Sequence, residues 1–325
     1  MVNDNITVCR KRPEVPRLLR SPGVKGRQAI NPRPRVPLGK TAVKVTRLGI
    51  GGCPLGGLYV DMTEGAATTT IERALELGLN FFDTDPLYGS GKSESRLVLL
   101  RRDRTSFAIA TKVGFALVPI DSNSNEEIFF PFKNAPPLRP ACDYSYAGVM
   151  RSFEESLKRF HLDRVDVIYV HDPLGLFDEA TKGALRALLE LREQRLIMAL
   201  GAAMNQSEML VRFAHEVFSI VFSWRDDTVS LNKGHSRSCC CYVHKRASAI
   251  IIGGPYNSGI LATRAKSGTK YNYLDAPSEV LEKVRQIAAV CDHYAVPLKA
   301  AALQFPPFAP RCCGSCSRLR VRLRG

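Results

Sequence analysis

The feature that most constrains the fold of this 325-residue chain is the alternation of short apolar runs with amphipathic stretches from Thr46 onward. This alternation is typical of repeated βα units around a parallel sheet. The predicted strands are residues 45–50, 80–83, 107–112, 165–171, 196–201 and 248–253. Apolar residues recur at helical spacing in 64–79 and 147–160, which predicts helices that cover the sheet from outside.

Three of the predicted strands end in an ionisable residue, namely Asp83, Lys112 and His171. In a closed parallel barrel the carboxyl ends of all strands meet at one mouth, so these side chains would share a pocket. Any one of them alone could equally be a capping or ion-pairing residue. Three such residues at successive strand ends favour a common site.

The segment that begins at Asp83 reads DTDPLYGSGKSE, and it resembles the aldo-keto reductase motif in which an Asp and a Tyr stand five apart. The sequences TKVG at 111–114 and HDP at 171–173 resemble the lysine and histidine strands of that family. Further segments resemble its branch of aldose or galactose dehydrogenases and pyridoxal dehydrogenases: APPLRP at 135–140, MNQS at 204–207 and GGPYNSG at 253–259. The resemblance covers residues 45–219 and 248–308.

The resemblance implies a (β/α)8 TIM barrel that transfers a hydride between NAD(P) and the carbonyl or hydroxyl carbon of a small polar substrate, as an aldose 1-dehydrogenase does. Tyr88 would be the acid/base. A free phenol titrates near 10, so Lys112 would supply the cation that makes its anion accessible. Asp83 would hold Lys112. His171, as a neutral imidazole, would donate a hydrogen bond to the substrate oxygen.

The resemblance also implies a set of positions that contact the cofactor. Gly51, Gly52 and Cys53 would lie near the nicotinamide, and Asn205 would bind its carboxamide. The run of Asn257, Ser258 and Gly259 would cradle the pyrophosphate, because glycine-rich turns after strands expose backbone N–H groups to phosphate. Glycines of this kind also form simple loops. The choice between NAD and NADP and the oligomeric state stay open.

Two stretches depart from the family pattern. Residues 221–245 do not read as a sixth βα unit and offer no recognisable aromatic residue to stack under the nicotinamide. Residues 311–325 are rich in Arg and Cys where the eighth strand is expected. The barrel is therefore predicted to be incomplete, and the alternative function is an inactive or damaged relative, produced by a frame or splice error, with an incomplete cofactor site.

The net charge of +15 is concentrated at the two ends of the chain. Residues 1–40 carry +8 and residues 311–325 carry +5, which leaves +2 for the rest. We therefore expect a disordered basic leader over 1–40, a barrel over 41–310 and no nucleic-acid partner. The alternative of a nucleic-acid binder would depend on the arginine-rich ends.

Neither a membrane span nor a metal site is predicted. No run of about 18 uncharged apolar residues occurs, which argues against a transmembrane helix. The single cysteines are typical of reduced, cytoplasmic thiols: Cys9, Cys53, Cys142 and Cys291. The remaining six cysteines lack the nearby His or second spaced pair that a zinc site needs: Cys239, Cys240, Cys241, Cys312, Cys313 and Cys316.

Overall fold

Parallel strands alternating with helices dominate the computed structural model, which describes residues 34–100, 103–120, 132–173, 175–216, 221–225, 249–308 and 320–324. The strands are β1 (Arg35–Pro37), β2 (Lys44–Thr46), β3 (Leu48–Gly51), β4 (Phe81–Asp83), β5 (Ala108–Val113), β6 (Phe115–Pro119), β7 (Leu138–Cys142), β8 (Val167–His171), β9 (Ala199–Met204), β10 (Val221–Arg225), β11 (Ala249–Gly253), β12 (Lys270–Tyr271), β13 (Leu274–Asp275) and β14 (Arg320–Arg324). The helices are α1 (Glu64–Glu76), α2 (Lys92–Arg96), α3 (Tyr146–Phe160), α4 (Phe177–Glu179), α5 (Leu185–Glu193), α6 (Ser207–Glu216), α7 (Ile260–Thr263), α8 (Ser278–His293) and α9 (Leu298–Phe308).

Eight strands of the described chain close into a barrel in the order β3-β4-β5-β8-β9-β10-β11-β14. Every neighbouring pair is parallel, and β14 pairs with β3 to complete the ring. The predicted TIM barrel is confirmed. Its predicted strands lie within a few residues of the observed ones, except that 45–50 is divided at Arg47 into β2, which lies outside the ring, and β3, which lies in it.

The sixth and eighth strands correct the prediction of an incomplete barrel. Residues Val221–Arg225 pair with both β9 and β11, so a sixth strand begins the stretch that seemed atypical. Residues Arg320–Arg324 pair with β11 and β3. Their sequence alternates Arg with Val or Leu, which is the period of a β-strand, although the composition of the tail concealed it. Residues 226–245 and 311–319 lie outside the described part.

A hairpin formed by β1 and β2 corrects the boundary of the predicted leader. Strand Arg35–Pro37 pairs antiparallel with Lys44–Thr46, so regular structure begins inside the range 1–40. Leu38 is fully buried with Val43 and Val45 in the cluster of side chains that fills the barrel interior. This hairpin therefore contributes to the core. Residues 1–33 lie outside the described residues.

A second core layer lies between the barrel and the helices that surround it. Helix α1 places Ala67, Ile71 and Ala74 in that layer, as its helical spacing predicts, and begins at Thr63, whose side chain accepts a hydrogen bond from the Ala66 N–H. Helix α3 also packs in that layer, and it begins at Ser145, whose side chain caps the helix by accepting a backbone hydrogen bond. Packing on both faces of the sheet holds the strand ends at the mouth in fixed positions.

Candidate active site

Lys112 lies at the centre of a buried polar cluster at the carboxyl ends of the strands. Its Nζ is 3.0 Å from Asp83 Oδ1 and 2.7 Å from the carbonyl oxygen of Thr84. The same Nζ is 3.3 Å from Tyr88 Oη and 4.7 Å from the centre of the tyrosine ring. Asp83 ends β4 and Lys112 lies on the adjacent β5, which is why the two side chains meet. The predicted grouping of Asp83, Lys112 and Tyr88 is present.

The turn that carries Tyr88 is held by local contacts. Asp85 Oδ1 accepts a hydrogen bond from the Leu87 N–H at 2.7 Å. Gly89 has φ +66°, and a Cβ at this residue would lie 2.3 Å from the carbonyl oxygen of Gly56. Only glycine combines this backbone conformation with such a close approach. The turn after β4 therefore fixes the phenol beside Lys112.

His171 ends β8 and contacts a carboxylate that the sequence analysis did not assign to the site. Its Nδ1 lies 2.8 Å from Oδ2 of Asp85, which is 1% exposed, and that oxygen is also 3.6 Å from Lys112 Nζ. Phe115 packs edge-on against the imidazole at 5.7 Å. Asp85 therefore lies near both His171 and Lys112, and it connects the histidine to the group of Asp83, Lys112 and Tyr88. The sequence did hold a signal for Asp85, because the motif contains this second acidic residue two positions after Asp83.

Burial sets the charge states in this cluster. It raises the pKa of the Tyr88 phenol well above 10.0, and Lys112 only partly offsets this. Lys112 lowers the pKa of the phenol, as the sequence analysis expects, but burial outweighs this effect. The resting phenol is therefore protonated, and the role of Lys112 in making the anion accessible stays a prediction. Burial opposes the charged form of Lys112, but Asp83 and other neighbouring acidic groups raise the pKa of its ammonium well above 10.5.

The two carboxyl groups differ in their surroundings. Burial raises the pKa of Asp83, against the opposing effect of Lys112. Burial acts in the same direction on Asp85, but His171 and then Lys112 outweigh it and lower the pKa of Asp85 below 3.8. Asp85 is therefore a carboxylate at neutral pH.

The glycine loop predicted to lie near the nicotinamide follows β3. Gly51 pairs with Asp83, and the Gly52 N–H donates to the Asp83 carbonyl oxygen at 2.7 Å. A Cβ on Gly52 would lie 2.6 Å from Ser93 Oγ, so the glycine is needed for packing. Cys53 lies close enough to Tyr88 to affect the pKa of its phenol. The loop therefore lies at the mouth beside the proton donor, and its cofactor contact stays a prediction.

Asn205 follows β9 on the opposite side of the mouth. It is exposed, and its backbone N–H donates to the carboxylate of Asp172. Two acceptor atoms nearby, Oε1 of the next residue Gln206 and Oδ1 of Asp172, are buried and have no hydrogen-bond partner among the described residues. An N–H donor such as that of a carboxamide would satisfy these acceptors, so the residues present fit a nicotinamide.

The turn predicted to cradle the pyrophosphate has its side chains engaged within the chain. Asn257 Oδ1 accepts from the Asn272 N–H at 3.1 Å, and Ser258 Oγ accepts from the Tyr273 N–H at 3.0 Å. Gly259 has φ +97°, and a Cβ there would meet nothing within 4 Å. A phosphate could therefore approach the backbone at Gly259, while the Asn257 and Ser258 side chains shape the turn.

Two features are absent from the residues that the structure describes. No group of three or more His, Cys, Asp or Glu side chains in these ranges is placed to hold a metal ion. None of the described helices has the length and apolar character needed to cross a membrane. Both cysteine clusters, at 239–241 and 312–316, lie outside the described residues.

Comparison with known proteins identifies relatives in sequence and a similar solved structure. A sequence model of the aldo/keto reductase family matches residues 47–307. Pyridoxal 4-dehydrogenase from Microbacterium luteolum is 35% identical over 295 residues, which is 83% of this chain and 84% of that protein. D-threo-aldose 1-dehydrogenase from a Pseudomonas species is 31% identical over 268 residues, covering 81% and 82%. The structure of glycerol dehydrogenase from Gluconobacter oxydans superposes with a TM-score of 0.65 at 18% identity, covering 89% of this chain and 85% of that one.

Proposed function

The chain belongs to the aldo/keto reductase family and is an oxidoreductase of small polar substrates, and we propose that it is an aldose 1-dehydrogenase that uses NAD or NADP. The observation that carries the proposal is the position of Lys112 Nζ, which contacts both Asp83 Oδ1 and Tyr88 Oη in a buried setting. A cation that contacts a phenol at the mouth of a barrel is suited to proton transfer at a substrate oxygen.

Tyr88 is the acid/base in this proposal. In reduction its Oη–H gives a proton to the substrate carbonyl oxygen, and in oxidation Oη takes the hydroxyl proton back. Lys112 stabilises the phenolate that reduction leaves behind, and Asp83 holds the ammonium in place. A nicotinamide held at this mouth would supply or accept the hydride at the reacting carbon.

The cofactor would be held by residues on several sides of the mouth. Gly51, Gly52 and Cys53 would approach the nicotinamide. Asn205 would bind its carboxamide beside Gln206 Oε1, which has no hydrogen-bond partner in the described part of the chain. The turn at 257–259 would receive the pyrophosphate through the open backbone at Gly259. These assignments come from the resemblance, and the orphan acceptor and the open glycine support them.

The substrate class rests on the named relatives, one of which is a D-threo-aldose dehydrogenase and the other a pyridoxal dehydrogenase. Both names describe oxidation of a small polar molecule. We propose a cytoplasmic location, supported by the thiols of Cys142 and Cys291, which form no disulfide within the described residues, because a reducing compartment keeps thiols in this state. Cell fractionation tests the location.

Turnover assays on the purified full-length chain test the function. We expect reduced nicotinamide to form at 340 nm with NAD⁺ or NADP⁺ and an aldose, with pyridoxal as the second substrate, and a Tyr88→Phe variant to be nearly inactive. A folded protein that binds neither cofactor and oxidises none of these substrates would favour the alternative of an inactive relative.

A further inference from the structure

A buried hydrogen bond joins the turn that carries Tyr88 to the strand that carries Lys112. The Tyr88 carbonyl oxygen accepts a hydrogen bond from the Ser93 N–H at 3.1 Å. The next residue, Glu94, accepts a hydrogen bond from the Thr111 hydroxyl, with Oε1 2.6 Å from Oγ1. Thr111 directly precedes Lys112 on β5. The hydrogen bond between Glu94 and Thr111 therefore connects the two segments whose side chains meet in the candidate active site.

Glu94 is fully buried, and each of its carboxylate oxygens has a partner. Oε2 lies 2.5 Å from Nε of Arg159 on α3. Burial raises the pKa of Glu94, while Arg159 and Thr111 act in the opposite direction. Arg159 also lies against the turn, since a Cβ on Gly91 would be 2.7 Å from its Cδ. Charged hydrogen bonds are short and strong, so Glu94 holds the turn against both β5 and α3.

Glu94 acts from outside the group of reacting side chains. Thr111 and Lys112 are neighbours on a strand, so their side chains lie on opposite faces of the sheet. Lys112 contacts Tyr88 at the mouth, and Thr111 contacts Glu94 on the face that the helices cover. Apart from burial, four groups have the largest effects on the pKa of the Tyr88 phenol: Lys112, Cys53, Asp85 and Asp83. Glu94 is not one of them, so we expect it to act on Tyr88 through the position of the turn.

We propose that Glu94 is a positioning residue, which sets the distance between Tyr88 Oη and Lys112 Nζ by holding Thr111. The two atoms are 3.3 Å apart. Catalytic groups have to be held within about 0.5 Å of the productive geometry, which requires support from residues around them. The consequence for catalysis rests on the proposed function, whereas the effect of Glu94 on the distance does not.

The hydroxyl of Thr111 allows the hydrogen bond to be removed without removing the buried charges. Thr111→Val keeps the shape of the side chain and leaves Glu94 paired with Arg159, but it has no group that donates to Oε1. Thr111→Ser is the conservative variant, which keeps the hydroxyl. The two variants therefore separate the loss of the hydrogen bond from a change at this position.

Asp166→Asn is the matched control, because Asp166 is another buried carboxylate that contacts both β5 and an arginine. Its Oδ2 accepts hydrogen bonds from the Ile109 N–H at 2.8 Å and from Arg104 at 2.7 Å. Asp166 directly precedes β8, and Ile109 is the second residue of β5. The control therefore disturbs β5 at its amino end, whereas Thr111 lies toward the carboxyl end.

The first test follows the Tyr88 phenol by ¹³C NMR on the full-length protein labelled at tyrosine Cζ, without cofactor or substrate. The chain has ten tyrosines, and the signal that disappears in Tyr88→Phe identifies the correct one. We expect this signal to move in Lys112→Met, because the ammonium is lost. In Thr111→Val it should move in the same direction but less far. Thr111→Ser and Asp166→Asn should leave it in place.

The second test measures kcat, KM and the pH–rate profile with an aldose. We expect Thr111→Val to lower kcat by about 10- to 100-fold, the range for a displaced catalytic group. KM should change little, because Thr111 faces the helices. The profile should move upward, as in Lys112→Met but by less, since the phenol is farther from the cation that lowers its pKa. Thr111→Ser should restore both properties, and Asp166→Asn should leave the profile unchanged.

An unmoved Tyr88 signal in folded Thr111→Val would overturn the proposal. An equal movement in Asp166→Asn would also overturn it, because any disturbance of β5 would then have the same effect. A signal that stays in place in Lys112→Met would contradict the contact on which the proposal depends. If Thr111→Val does not fold, Thr111→Ala removes the hydroxyl without adding atoms and carries the same expectations. Failure of both variants to fold would show that the hydrogen bond serves the fold itself, against a role in positioning.

The two tests separate this proposal from the proposed function. Absence of turnover by the unmodified enzyme would contradict the proposed function, and the NMR signal of Tyr88 would still decide whether the hydrogen bond from Thr111 to Glu94 sets the position of the phenol. If the unmodified enzyme does oxidise an aldose, wild-type kcat and an unchanged pH–rate profile in Thr111→Val would refute the positioning role.

Discussion

The fully buried Leu38 allows a quantitative test of whether the β1–β2 hairpin belongs to the barrel core. Leu38 is 0% exposed and packs with Val43 and Val45 in the barrel interior. Replacing a buried leucine with alanine costs about 2–5 kcal/mol, since apolar contacts are lost and a cavity forms. We expect Leu38→Ala to lower the free energy of unfolding by that amount. At roughly 2 °C per kcal/mol, the melting temperature should fall by about 4–10 °C.

Two truncations and one control variant sharpen the test. Deleting residues 1–33 should leave the urea midpoint unchanged, because the sequence predicts a disordered leader there. Deleting 1–40 should cost at least as much as Leu38→Ala, because it also removes the Arg35 hydrogen bond to the Ser106 carbonyl oxygen. Val60→Ala is the control at a 72% exposed position and should cost little. Equal midpoints for the 1–33 and 1–40 deletions would refute the assignment of Leu38 to the core.

The remaining predictions concern the site and its support. Tyr88→Phe should lower kcat by about 10²- to 10⁴-fold with nearly unchanged cofactor affinity, because it removes a proton and little contact area; undiminished turnover would remove Tyr88 from the mechanism. Lys112→Met should lower kcat and move the pH–rate profile upward, because the phenol loses the cation that lowers its pKa; an unchanged profile in that variant would contradict the pairing. Gly114→Ala should destabilise the protein by about 1–3 kcal/mol, because Gly114 has φ +114° and the added Cβ would lie 2.1 Å from the Tyr144 ring; wild-type stability in denaturant would show that the loop adapts freely. Added zinc should not raise the melting temperature, since the clustered cysteines lack recognisable ligand spacing, and a clear zinc-dependent rise would show that those thiols form a site.

The site could be predicted from the sequence where local patterns carry the information. Apolar runs that end in Asp83, Lys112 and His171 identify strand ends, and parallel strands necessarily bring their carboxyl ends to one edge. The five-residue spacing to Tyr88 is a property of one turn. The predicted contacts of Lys112 with Asp83 and Tyr88 therefore needed only the correct fold class.

Contacts between distant strands were decided by tertiary structure. Asp85 meets His171 because β4 and β8 both border β5 in the ring, and 86 positions separate the two residues along the chain. The pKa of Tyr88 depends on how completely the barrel mouth excludes water, so a nearby lysine in the sequence could not give its direction.

The sequence by itself determined the fold class and the grouping of Asp83 and Tyr88 with Lys112, because strand periodicity and turn spacing are local. Only the tertiary structure decided how the barrel closes and what lies inside it. Arg320–Arg324 becomes a strand because β11 and β3 leave one position open between them, where its backbone groups find partners. Leu38 joins the interior because the β1–β2 hairpin folds back on it, a long-range contact that no local pattern of residues records.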